Sequence, residues 1–186
     1  IYQHVARLAD RDDARIAGFE GEHRAADYIA GKLGKYNLKV ERQIFPFIAF
    51  QDRGSEVAVV TPEPKNLDPQ TMVYSPATPE EGLTAELVYA DLGSEEDFAR
   101  VDVKGKIALI KRGEYTFYEK TQNAAKAGAV GVIIFNNEPG YINGTLGEPA
   151  DIPATSLTDA EGEDLKGLLD RGGKVVVNMK VDTALK

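Results

Sequence analysis

Within Glu22–Tyr36 the apolar side chains fall at Ala25, Ala26, Ile29, Leu33 and Tyr36. That spacing follows the 3.6-residue period and predicts a helix with one apolar stripe. A shorter helical segment covers His4–Ala9, and the glycines Gly18 and Gly21 mark a turn between the two. The period then changes. Over Leu38–Phe47, Val40 and Ile44 share one face while Phe45 and Phe47 share the other, which predicts an extended strand. Ser55–Thr61 reads as a further strand. Pro62, Pro64 and Pro69 follow within eight residues, and such a segment interrupts helix and sheet alike, so it is the best candidate linker. Ser75–Pro79 is a loop.

Beyond it the elements are short and alternate in type. Leu83–Ala90 predicts a strand. Ser94 is placed as an N-cap ahead of the acidic turn Glu95-Glu96-Asp97, which predicts a helix of one or two turns. Lys106–Lys111 reads as a strand, Phe117–Ala127 as a helix, and Val132–Asn136 as a strand entered from a turn bracketed by Gly128 and Gly131. The runs 136–140 and 143–144 are strong turns. Ile152–Leu157 reads as a strand. Thr158 and Glu161 form a capping box for the helix Asp159–Asp170, which Gly172-Gly173 ends. Lys174–Val181 is the final strand, with Val175, Val177, Met179 and Val181 on one face.

Composition narrows the function classes. Of 186 residues, 22 are Lys or Arg and 30 are Asp or Glu, a net charge of −8. Nucleic acids and anionic membrane surfaces both call for a basic face, so both are disfavoured. No apolar run approaches the ~20 residues that span a bilayer. Without cysteine, disulfides, thiolate-bound metals and thiol catalysis are excluded. The chain opens Ile1-Tyr2-Gln3 without a Met, which suggests a mature or excised product whose targeting segment has been removed.

Catalytic and ligand motifs fail one after another. His4 and His23 have no metal-ligand spacing, because no second histidine follows His23 four residues on. Asp10-x-Asp12-Asp13 starts like a calcium loop but carries Ala14 at its fifth position, so it reads as a solvated acidic turn. Gly167–Lys174 departs from a phosphate-binding loop in spacing, in Val175 at the hydroxyl position, and in ending a helix rather than opening one. No serine lies in a nucleophile elbow. Asn143-Gly144-Thr145 is a glycosylation sequon and also an ordinary turn. There are thus no candidate catalytic residues and no candidate metal ligands. What remains is aromatic. Tyr115, Phe117 and Tyr118 stand at a strand-to-helix junction, where they either plug the core or offer a contact surface. They are the candidate interaction residues, with Phe117 expected inside and Tyr115 or Tyr118 outside.

Several segments together resemble the protease-associated (PA) domain. They are Gly105–Gly113 ending in Arg112-Gly113, then Phe117, then Lys120–Asn136 with its Asn123-Ala124-Ala125 and Ala127-Gly128-Ala129, then Ile152–Leu157. The resemblance implies an α/β (α+β) fold: a β-barrel-like sheet flanked by short helices, with no catalysis of its own. Residue chemistry agrees, since Ala124, Ala125 and Ala127 give a helix face flat enough to lie close on a sheet, and Gly128 suits a positive-φ helix end. Gly131 is expected to let the next strand start close to that helix.

The opening segment, with Arg15-x-Ala17-Gly18-x-x-Gly21-x-x-x-Ala25-Ala26-x-Tyr28-Ile29, resembles the start of M28-family zinc aminopeptidases. The resemblance implies an incomplete peptidase segment over 1–61 and a PA domain over 62–186. It also implies a secreted bacterial parent whose zinc ligands lie in a catalytic domain outside these residues. On that reading the chain is not an enzyme by itself, holds no cofactor, and meets the peptidase domain in cis and a peptide or protein substrate. Self-association through the N-terminal helix is a further expectation. The competing classes are a complete small enzyme, for which no ligand set or nucleophile is present, and a free-standing module that binds peptides at a sheet edge.

Overall fold

Two all-apolar runs of the sequence, Ile107–Ile110 and Gly131–Phe135, are buried throughout. That is the pattern of parallel strands covered on both faces. They lie at the centre of the larger of two units in the computed structural model, which describes residues 2–9 and 15–186. The first unit comprises residues 1–51 with 185–186, and the second residues 52–184. The acidic turn expected at Asp10–Asp13 lies outside the described residues.

The first unit contains helices α1 (Tyr2–Leu8) and α2 (Glu20–Lys35). His4 Nδ1 and the Tyr28 hydroxyl, 2.8 Å apart, link the two. Residues 36–49 form neither helix nor strand, so the strand expected at Leu38–Phe47 is absent. A strand needs a neighbouring backbone to complete its hydrogen bonds, and no sheet partner meets this stretch among the described residues. Its side chains stay out in solvent, Ile44 at 93% exposure and Phe45 at 66%. Only at its end does pairing begin, where Ala49 and Lys186 exchange both backbone hydrogen bonds at 3.0 Å.

The second unit is built on β1 (Phe50–Thr61), β2 (Lys65–Leu67), β3 (Gln70–Thr71), β4 (Leu83–Tyr89), α3 (Glu95–Phe98) and β5 (Ile107–Lys111). It continues through α4 (Phe117–Lys126), β6 (Gly131–Phe135), β7 (Ala154–Leu157), α5 (Asp159–Asp170) and β8 (Val176–Leu185). The strands form one sheet in the order β2-β1-β8-β4-β5-β6-β7-β3. Its middle, β4 to β7, is parallel. The flanking pairs β8–β4, β7–β3 and β1–β2 are antiparallel. The proline-rich stretch is therefore no linker. Pro62 and Pro64 turn the chain back so that Val57, Ala58 and Val59 pair with Leu67, Asn66 and Lys65, which brings residues 52–61 into the second unit.

Alternation along the inner strands divides the core in two. Ala108, Ile110, Val132 and Ile134 face one layer with Ala124 of α4 and Phe98 of α3. Ile107, Leu109, Ile133 and Phe135 face the other with Leu165 of α5 and the inward side chains of β1 and β8. In the second layer the sheet curls over itself. Met179 of β8 and Thr155 of β7 are separated in the sheet by β4, β5 and β6, yet the Thr155 hydroxyl lies 3.7 Å from the Met179 sulfur. A β-carbon on Gly131 would come within 2.5 Å of Met179 Cε. Gly131 therefore makes room for a side chain of β8 rather than for the preceding helix. Helix α4 ends as expected, with Gly128 at φ +91.

Candidate interaction surface

The residues bordering the carboxyl end of β5 are placed by three short local devices. A capping box starts α4: Glu119 N–H donates to Thr116 Oγ1 at 3.2 Å, and Glu119 Oε2 accepts from Thr116 N–H at 2.9 Å and from its hydroxyl at 2.7 Å. These bonds from Thr116 hold the Glu119 carboxyl below its ordinary value. A matching box, Ser94 with Asp97, starts α3. Beyond β5, Arg112 Nη1 donates to Asn136 Oδ1 at 3.0 Å, and the buried Asn136 amide donates to Gly140 O at 3.0 Å. This ties the ends of the two central strands together.

The aromatic trio divides on this frame. Phe117 and Tyr118 are half-buried and rest on the core layer under α4. Phe117 also closes on the loop around Gly144, where an added β-carbon would lie 3.1 Å from Phe117 Cε2 and 2.6 Å from Met72 Cε. Tyr115 faces outward, 37% exposed. It borders an open groove of about 560 Å³ between α3 and α4, whose other walls include Glu95, Glu96, Glu119, Asn123 and Lys126. Three carboxylates face one ammonium there, and Lys126 already pairs with Glu95 at 3.4 Å. The arrangement offers contact area and negative charge.

One residue of the site was named in the sequence only as the start of a segment that carries the family resemblance, with no role of its own. Lys120 is completely buried, although its place on the helix reads as an ordinary surface lysine of an amphipathic segment. Its ammonium donates to the carbonyls of Leu92 and of Lys111, the latter at 3.1 Å, and lies 5.6 Å from the Tyr115 ring centre. Burial pulls its pKa below the lysine range, opposed by the more distant Asp97, Asp91, Glu114 and Glu119.

A zinc ion does not fit the described residues. Among the described residues no group of three or more His, Asp or Glu could hold a metal ion. His4 is engaged by Tyr28, and His23 Nδ1 lies 3.3 Å from Glu22 at the start of helix α2, with His23 exposed.

Comparison with known proteins gives this geometry a context. Residues 83–165 match the PA domain family. The chain is 37% identical over 167 residues to aminopeptidase YwaD of Bacillus subtilis, covering 88% of this chain and 35% of that protein. Among solved structures, an aminopeptidase from Aneurinibacillus sp. strain AM-1 superposes with a TM-score of 0.73 at 36% identity, over all of this chain and 44% of that one. BSAP, a zinc aminopeptidase from Bacillus subtilis, gives a TM-score of 0.59 at 31% identity, over 99% of this chain and 44% of that one. The chain thus spans about a third of the length of the curated relative and under half of the solved ones.

Proposed function

We propose, on the premise that residues 83–165 are a PA domain, that this chain is the non-catalytic accessory part of a zinc-dependent aminopeptidase of the M28 type. The first unit then contributes to the peptidase domain, and the second shapes the access of peptides to it. The observation that carries this reading is the breadth of the likeness. Similarity to aminopeptidases runs through both units, covering 88% of the chain in one case and all of it in another. The PA match alone would cover only the middle of the second unit. Catalytic zinc belongs to the remainder of such an enzyme, whose name in one similar structure includes the metal. Secretion from a bacterial host goes with the same reading.

The exposed apolar side chains of the first unit support the division of labour. Leu38, Ile44, Phe45, Phe47 and Ile48 are each at least half exposed, a density that marks a surface made to be covered. In the second unit, Tyr115 beside the groove is the element suited to touch a peptide, because a tyrosine supplies contact area at little cost in rotamer entropy.

Hydrolysis of an aminoacyl-anilide separates the readings. The chain with added zinc should give no turnover, since a two-zinc peptidase site needs several His and carboxylate ligands on one scaffold. In the longer enzyme, deleting residues 52–184 should change kcat/KM for peptides as a function of their length, and leave the small anilide cleaved. Stoichiometric zinc with turnover in the chain alone would overturn the proposal, as would identical peptide-length profiles with and without the second unit.

A further inference from the structure

Lys120 leaves α4 toward the interior and is fully enclosed. A charge in such a place is costly unless every donor finds a partner. Here the carbonyls of Leu92 and Lys111 accept from the ammonium, and the face of the Tyr115 ring lies 5.6 Å from it, centre to nitrogen. Among the described residues no carboxylate lies within ion-pair distance of it, so what it binds is backbone and ring. Each partner belongs to a different piece of chain. Leu92 stands in the turn after β4, Lys111 ends β5, and Tyr115 lies just ahead of α4. One helical turn further on, Asn123 Nδ2 donates to Gly93 O at 3.1 Å, so α4 holds the 91–93 turn at two points. Gly93 itself is at φ +75, and a β-carbon there would press on Ile110 Cγ2 at 3.0 Å and Lys120 Cγ at 3.3 Å. The ammonium thus sits under the 112–116 turn and touches both that turn's aromatic side chain and its anchoring strand.

We infer that Lys120 is the positioning residue of the interaction surface: its ammonium fixes the Tyr115 ring at the groove by tying the 112–116 turn to the ends of β4 and β5. This rests on the reading of Tyr115 as a contact residue. A lysine serving only the stability of the core would leave the pose of that ring unaffected when its charge is removed and the fold survives.

The chain contains no tryptophan and no cysteine, which makes the test direct. Tyr115→Trp installs a single indole reporter, and Lys120→Cys in that background can be alkylated with bromoethylamine while unfolded, restoring an ammonium on a side chain of nearly lysine length. In Lys120→Cys the docked population of the introduced indole should fall at least about twofold, since a cation–π contact supplies that factor even at an exposed site and more where the cation is enclosed. It is read as faster acrylamide quenching and a red-shifted emission. Aminoethylation should return both. Unchanged quenching in a folded Lys120→Cys chain, or a change that aminoethylation does not reverse, would overturn the inference. Should Lys120→Cys not fold, Tyr115→Leu in the otherwise unaltered chain reads the same contact from the other side. The Lys120 ε-methylene protons should move downfield as ring shielding is lost, and proton resonances that stay in place would equally overturn it. None of these readouts involves a peptide, so failure here is distinct from failure of the access role, which the peptide-length profile of Tyr115→Ala in the longer enzyme reports.

Discussion

A β-carbon on Gly162 would fall 2.0 Å from Cγ of Phe135, so α5 crosses β6 with no room for a methyl group. Alanine in a helix interior ordinarily gains up to about 1 kcal/mol over glycine. At this crossing the sign should reverse. Phe135 is fully buried, and forcing its ring off its rotamer costs about 1–3 kcal/mol. Gly167, on the same helix, has no atom within 4 Å of its would-be β-carbon. Urea unfolding of the two variants should therefore give opposite shifts, with Gly162→Ala less stable and Gly167→Ala more stable than the unaltered chain. Shifts of the same sign would contradict the packing.

The capping box of α4 gives a pH dependence of known direction. Thr116 holds Glu119 in its ionised form, so the carboxyl titrates below its ordinary 4.5. A depressed carboxyl contributes stability that is complete above the unfolded value and lost as pH falls through the folded one. Thr116→Ala removes the hydroxyl that serves both ends of the box, and should cost about 1 kcal/mol at neutral pH. Its stability should also decline less steeply than that of the unaltered chain as pH drops below 4.5. Parallel stability–pH curves for the two chains would rule out the linkage.

Most of the second unit could be read from its sequence because the relevant physics is local. The Ser94 N-cap and the Thr158–Glu161 box formed where the residue types placed them, and so did the alternation from Val175 to Val181, buried at every second residue. Gly172 ends α5 at φ +76. What was not legible depends on partners distant in sequence. The prolines after β1 look alike in a linker and in a hairpin, and only pairing with Leu67 decides between them. Leu38–Phe47 has the alternation of a strand without a neighbour among the described residues to complete it. Lys120 is hydrophilic in every pattern, and its burial follows from carbonyls 28 and 9 residues away.

The first unit should exchange its amides faster than the second. Helix α1 has no buried residue, α2 buries only Gly21, and Phe19 at its N-cap position provides no side-chain cap. Helical stability in proteins comes mainly from packing of the apolar face, yet Ile29 and Leu33 of that face remain exposed. Hydrogen exchange over 25–33 should thus be well ahead of that over 107–110, where all four side chains are enclosed. The exposed stripe also predicts association that grows with concentration, visible by sedimentation. Equal protection of both stretches in a monomer would refute the expectation.

The aromatic trio should separate by the cost of truncation. Phe117 rests on the core layer and closes on Met72 and Gly144. Phe117→Ala should therefore cost about 3 kcal/mol, the lower end for an enclosed phenylalanine because this one is only half-buried. Tyr118 lies half-buried on the same layer and should lose less. Tyr115 has its ring over the Lys120 ammonium and its outer side toward the groove, so Tyr115→Ala should cost about 1 kcal/mol, the scale of one cation–π contact. The order in denaturant midpoint is then Phe117→Ala lowest, Tyr118→Ala intermediate, and Tyr115→Ala nearest the unaltered chain. In the longer enzyme the order of effects on peptide kinetics should be the reverse, with Tyr115→Ala altering KM for long peptides while kcat for an anilide stays constant. If Tyr115→Ala instead destabilised the fold as strongly as Phe117→Ala and left peptide KM untouched, all three rings would be core residues and the contact surface would have to lie elsewhere on the unit.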